Sequence, residues 1–129
     1  MRKIALVAAS FLMLGGIGSA QAQDAAAGER VFRLCSACHM VGENAQNRVG
    51  PQLNGLFGRE AGSVEGFRYS PAYETLDKVW DHENFAVYIK DPRGVTPGTR
   101  MAFAGLRNDQ QVADLIAYLD QFNADGTMK

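Results

Sequence analysis

The segment Cys35-Ser36-Ala37-Cys38-His39 sets two thiols three positions apart with an imidazole directly after the second. On a helical turn the two cysteines fall on neighbouring positions. Each can add to one vinyl group of a single haem while the next side chain points at the iron, and C-x-x-C-H is the attachment pattern of c-type haem. One short stretch thereby fixes a macrocycle at three points. A thioredoxin-like redox pair competes with this reading, but such a pair follows a strand in an α/β chain, and no βαβ pattern is present. Iron held by His39 then needs a group on its other side, and a Met thioether opposite His stabilises the ferrous form. Three methionines lie beyond residue 22. Met40 adjoins His39 and cannot reach the opposite face, and Met128 lies in a C-terminal tail, where disorder is the default. Met101 ends the turn-rich run Thr96-Pro97-Gly98-Thr99-Arg100-Met101 and is the expected sixth ligand. His82, between Asp81 and Glu83, reads as an exposed surface residue.

These groups need elements to hold them. A first helix is expected from Asp24 up to the cysteine pair, with Ala27, Val31 and Leu34 at helical spacing and Phe32 beside them. Gly28 inside it costs about 1 kcal/mol against Ala, which close approach of another helix would explain. Ser70 as N-cap and Pro71 at the first helical position open a short helix to about Leu76. Asp81 caps a third, with Phe85, Tyr88 and Ile89 on one face, and Asp91-Pro92 stops it. Asn108, with Gln111 three residues on, opens the last helix, in which Val112, Leu115, Ile116, Leu119 and Phe122 follow at helical spacing to near Asn123. Between these helices, 40–69 and 91–107 read as loops too long for a compact domain unless they wrap something. A haem would supply that surface. No internal repeat, low-complexity tract or credible strand is evident.

The 129 residues suffice for one domain. Met1-Arg2-Lys3, the apolar run from Ile4 to Leu14 and Ala20-Gln21-Ala22 have the layout of a secretory signal peptide, residues 1–22, with cleavage before Gln23 and a cut after Ala20 as the alternative. An uncleaved anchor is disfavoured, because the apolar stretch contains Gly15 and Gly16 and falls short of the ~20 residues needed to span. The remaining 107 residues, 23–129, form the expected domain, with a tail from about 124 expected to be disordered. Losing Arg2 and Lys3 leaves 11 basic residues against 14 acidic, a charge of −3. That balance argues against a basic nucleic-acid binder.

Gly50-Pro51-Gln52-Leu53, Gly55-Leu56-Phe57-Gly58-Arg59, Gly66-Phe67-Arg68-Tyr69-Ser70, Trp80, Pro97-Gly98-Thr99-Arg100-Met101 and Ala104-Gly105-Leu106 follow the C-x-x-C-H element in fixed order. With these motifs at these spacings, from Gly28 to about Tyr118, the chain resembles the class I c-type cytochromes, specifically the small bacterial cytochrome c2 and mitochondrial-like group. The resemblance implies an all-α fold of about four helices and long loops wrapped around one covalent haem c. It assigns Cys35 and Cys38 to the thioethers and His39 and Met101 to the axial bonds. It further implies that Pro51 offers its carbonyl to the second nitrogen of His39, that Tyr88 sets its hydroxyl near the Met101 sulfur, and that Arg59, Tyr69, Trp80 and Thr99 hold the haem propionates. The first and last helices would cross with Gly28 and Phe32 against Leu115 and Tyr118.

The same resemblance implies a soluble, monomeric periplasmic carrier of single electrons, not an enzyme, with no small-molecule substrate. Its donor would be a bc1-type complex. Its acceptor would be a terminal oxidase, a reductase or a photosynthetic reaction centre, met transiently at the haem edge near Arg48, Arg93, Arg100 and Arg107. Two departures stand out. Tyr73 replaces an Asn usual in the mitochondrial proteins, and the lysine-rich face of those proteins is thinned. A haem enzyme or gas sensor with an open sixth site, and a haem-free disulfide or metal-binding module, are the rival classes.

Overall fold

The structure is a computed structural model that describes residues 23–129. The expected leader, 1–22, lies outside the described residues. Five helices and no strands are present among them: α1 Ala25–Phe32, α2 Pro71–Glu74, α3 His82–Lys90, α4 Pro92–Val95 and α5 Asp109–Leu119. The all-α expectation holds.

Helix α1 begins where the Asp24 carboxylate accepts the Ala27 N–H at 3.1 Å, and α5 begins where the Asn108 side chain accepts the Gln111 N–H at 2.9 Å. The two helices form the main packing seam. A Cβ built on Gly28 would overlap the Asp114 carbonyl oxygen and lie 2.7 Å from Tyr118 Cβ, so the glycine is where the backbones meet. Phe32 and Tyr118 pack beside it with their rings tilted, centroids 5.4 Å apart. Asp114 is buried on this seam, where its carboxylate accepts the Asp24 backbone N–H at 3.0 Å and the Gln110 side chain at 2.9 Å. Leu115 and Leu119 of α5 are almost wholly buried, and with Trp80, Phe85 and Ile89 they form the centre of the core.

Several boundaries differ from expectation. Helix α1 stops at Phe32, short of the cysteines, because the chain tightens: the N–H groups of Arg33, Leu34 and Cys35 donate three residues back, to Arg30, Val31 and Phe32. Helix α2 ends at Glu74 and not at Leu76. Asp91-Pro92 does stop α3, but it also starts α4. The Asp91 carboxylate accepts the Gly94 N–H at 3.1 Å, and Pro92 is pre-set for a first helical turn. The tail expected to be disordered is tied down. Past α5 the chain turns and pairs Phe122 with Met128, the Lys129 N–H donates to the Gln121 carbonyl at 2.8 Å, and Gly126 is buried against Gly42. A tail that returns its backbone hydrogen bonds to the domain in this way is no longer free to fray.

Candidate functional site

The turn that follows α1 carries Cys35, Cys38 and His39, and two hydrogen bonds shape it. The Cys38 and His39 N–H groups both donate to the Cys35 carbonyl, at 3.0 and 2.9 Å. All three side chains face a cavity of about 670 Å³. No disulfide joins the cysteines. Burial, with Cys38 beside it, pushes the Cys35 thiol up to about 11. A redox pair needs the opposite shift, a stabilised thiolate. That shift runs against the thioredoxin-like reading.

His39 is buried, and its Nδ1 lies 2.7 Å from the Pro51 carbonyl oxygen. A carbonyl can only accept, so Nδ1 carries the proton and Nε2 keeps a lone pair for a metal. Burial is the main cause that lowers the His39 pKa. The positive charge of Arg59 adds to the effect and the Pro51 bond opposes it. The imidazole is therefore held in the neutral form that ligates. Gly50 makes the fit possible, since a Cβ there would overlap His39 Cε1.

Met101 lines the same cavity, on the loop between α4 and α5. The Met101 N–H donates to Thr99 Oγ1 at 3.2 Å, and the Tyr88 hydroxyl, buried on α3, donates to Met101 Sδ at 3.1 Å. Burial pushes the Tyr88 pKa far up, with neighbouring Tyr73 adding to the shift, so this phenol keeps its proton. The hydroxyl of Tyr73 in turn donates to the Tyr88 oxygen at 2.5 Å.

The other residues singled out in the sequence meet there too. Arg59 and Trp80 are brought together by a short antiparallel contact, in which the Trp80 N–H donates to the Arg59 carbonyl at 2.9 Å and the Gly58 N–H to the Trp80 carbonyl at 2.7 Å. The Arg59 guanidinium donates to the carbonyls of Gln52 and Asn54 at 3.0 and 3.1 Å, and among the described residues no carboxylate pairs with it. Burial lowers its pKa, which marks a cation short of solvation. Tyr69 accepts the Val64 N–H at 3.0 Å, leaving its own proton for an acceptor in the cavity. Arg48 and Arg100 line the cavity mouth, whereas exposed Arg93, on α4, and Arg107 do not. His82 is exposed, as expected, and pairs with Asp120 at 3.4 Å.

Two residues of the cavity wall carry no signal of their role in the sequence. Gly50 is one. Ser70 is the other: it caps α2 in position but makes no capping hydrogen bond, and its buried hydroxyl has no partner in the protein. An N-cap serine gives no sign in sequence that its side chain turns inward. A mostly apolar wall, two thiols, a neutral imidazole, an unpaired guanidinium and an orphaned hydroxyl suit a flat apolar macrocycle carrying carboxylates. Interiors pack too densely to keep so large a cavity without an occupant.

The family model for cytochrome c matches residues 25–123. The chain belongs to the cytochrome c family. It is 52% identical over 129 residues to cytochrome c2 of Blastochloris viridis, covering the whole of both chains. It is 48% identical over 106 residues to cytochrome c-550 of Nitrobacter winogradskyi, spanning 82% of this chain and 97% of that one. The solved structure of cytochrome cH from Methylobacterium extorquens superposes with a TM-score of 0.71 at 40% identity, covering 75% of this chain and 97% of that one. The protein is thus a c-type cytochrome, an electron carrier and not an enzyme, and its cofactor is haem c, bound covalently through Cys35 and Cys38. No helix among the described residues is long and apolar enough to cross a membrane.

Proposed function

We propose that this cytochrome c carries one electron at a time at a haem whose iron His39 and Met101 would hold. Bound haem supplies the Fe(II)/Fe(III) couple; the chain supplies the rest. The observation that carries the reading is the pairing of two oriented donors on one cavity, His39 Nε2 freed by the Pro51 bond and Met101 Sδ held by Tyr88. With both donors engaged, no substrate would reach the metal, and the protein would tune potential through ligand identity, burial and hydrogen bonding. Arg59, Tyr69, Trp80 and Thr99, joined by Ser70, hold the carboxylates on the buried side. The cavity mouth, where exposed Val49 and Leu34 adjoin Arg48 and Arg100, is the docking face. A small apolar rim with positive charges around it suits brief, electrostatically steered encounters.

The leader pattern supports a periplasmic location, and the family resemblance supports a monomer working there between a bc1-type donor and an oxidase, reductase or reaction-centre acceptor. Two measurements test this. The ferric protein should show the charge-transfer band of Met ligation, and the ferrous protein should bind CO slowly at neutral pH; no band and rapid CO binding would place the protein with haem enzymes or sensors instead. Reduced protein mixed with source membranes should be reoxidised, and sensitivity to light or to oxidase inhibitors identifies the acceptor.

A further inference from the structure

Tyr88 has one proton and two places to send it: the Met101 sulfur at 3.1 Å or the Tyr73 oxygen at 2.5 Å. If it turned toward Tyr73, the thioether would lose its hydrogen bond. What decides is whether Tyr73 donates or accepts. Tyr73 reaches this point from α2, whose first turn is set by its N–H donating to the Ser70 carbonyl at 2.9 Å, and its ring lies against Tyr69 with centroids 5.8 Å apart. In the observed arrangement Tyr73 donates to Tyr88.

We infer that Tyr73 is a positioning residue for Met101: by donating into the Tyr88 oxygen it turns the Tyr88 proton onto the sulfur and polarises that hydrogen bond. Consecutive hydrogen bonds strengthen one another in a low-dielectric interior. A stronger donor on the thioether draws electron density from sulfur, so the sulfur stabilises ferric iron less and the potential rises. Tyr73 acts on the metal from two hydroxyls away, without touching the haem ligand itself. The inference rests on the His39/Met101 ligation proposed above.

The test uses haem-loaded Tyr73→Phe, Tyr88→Phe and the double variant, read by midpoint potential and by the ferric Met-ligation band. Tyr73→Phe keeps the ring and removes only the oxygen, so a residue that merely fills space would leave the potential where it is. The expected result is a downward shift in Tyr73→Phe, a larger one in Tyr88→Phe, and no further shift when Tyr73→Phe is added to Tyr88→Phe. An unmoved or raised potential in Tyr73→Phe, or additive shifts in the double variant, would overturn the relay while leaving the ligation intact. A parent protein without the Met-ligation band would instead overturn the ligation and the relay with it. If Tyr88→Phe fails to load haem, the Tyr88 hydroxyl proton in NMR spectra of the ferrous protein decides. It should exchange faster in Tyr73→Phe than in the parent, and equal exchange would overturn the inference.

Discussion

The proposed ligand side chains, His39 and Met101, are set by neighbours outside the C-x-x-C-H segment. Pro51 fixes the tautomer of His39 through a carbonyl that any residue would possess, while the missing side chain at Gly50 leaves room for the ring. Gly50→Ala should therefore be more damaging than its size suggests. Its Cβ would sit within 2.7 Å of both ring nitrogens, so the imidazole must leave the Pro51 carbonyl. The expected outcome is a lower haem content per chain and a weakened low-spin spectrum, measured by pyridine haemochrome assay and absorption; full incorporation with an unchanged spectrum would contradict it. Arg59 shows the same dependence on surroundings. It is a cation whose hydrogen bonds go to backbone carbonyls, and its proposed role as a carboxylate partner rests on the carboxylate it lacks.

Two elements carry testable energetics. At the α1–α5 seam an added methyl would meet backbone, which cannot rotate away. Overpacking of that kind costs about 1–3 kcal/mol, so Gly28→Ala should lower the denaturation midpoint by a corresponding amount. It should do so even though Ala is the better helix former by about 1 kcal/mol, and a stabilised variant would show that the helices do not meet there. The C-terminal return gives a pH dependence. The Asp125 carboxylate accepts the Thr127 hydroxyl at 2.6 Å and the Thr127 N–H at 2.9 Å, and these bonds hold its pKa below 3.8. A depressed carboxylate contributes stability that is present above its ordinary pKa and is lost as pH falls through the folded value. Amide exchange at Asn123 and Lys129 should thus accelerate in acid before the core unfolds. In Asp125→Asn, exchange at these two amides should no longer depend on pH in that range beyond the intrinsic rate.

At the scale of the molecule, the loops that join the helices and the cavity they surround are one feature. The protein devotes about 670 Å³ near its centre to a group that the chain does not itself supply. Cys35→Ala or Cys38→Ala should accordingly leave a poorly folded apoprotein, seen as lost near-ultraviolet dichroism and rapid proteolysis. A compact, protease-resistant apoprotein would refute this. Charge distribution also matters more than total charge. Arg48 and Arg100 line the mouth, while Asp109 and Asp120 lie along α5 and just past its end. Neutralising both arginines, as Arg48→Gln with Arg100→Gln, should slow association with an acidic redox partner at low salt and flatten its salt dependence, with the spectrum unchanged in stopped-flow and absorption measurements. Equal rates at low salt would place the docking face elsewhere.

Much of the site is legible in the order of residues alone, because it depends on local chemistry. Cys35, Cys38 and His39 declare themselves by spacing, the caps Asp24, Asp81 and Asn108 by residue type, and the α5 face by its period, since each involves residues within one or two turns of one another. The C-terminal return is not legible in this way, because its hydrogen bonds form only once α5 has set the direction of the chain. Helix α4 is legible only in its opening: Asp91-Pro92 stops α3 and also carries the cap-plus-Pro start that Ser70-Pro71 gives α2. The inward turn of the Ser70 hydroxyl, the clearance at Gly50 and the Tyr73 link that extends the Tyr88–Met101 contact into a chain are decided by tertiary structure alone. The hydroxyl chain joins side chains 15 and 13 residues apart in sequence, from two helices and a loop. Spacing reports which chemistry a segment can carry, but the direction of a hydrogen bond between distant segments exists only after packing has brought them within about 3 Å of one another.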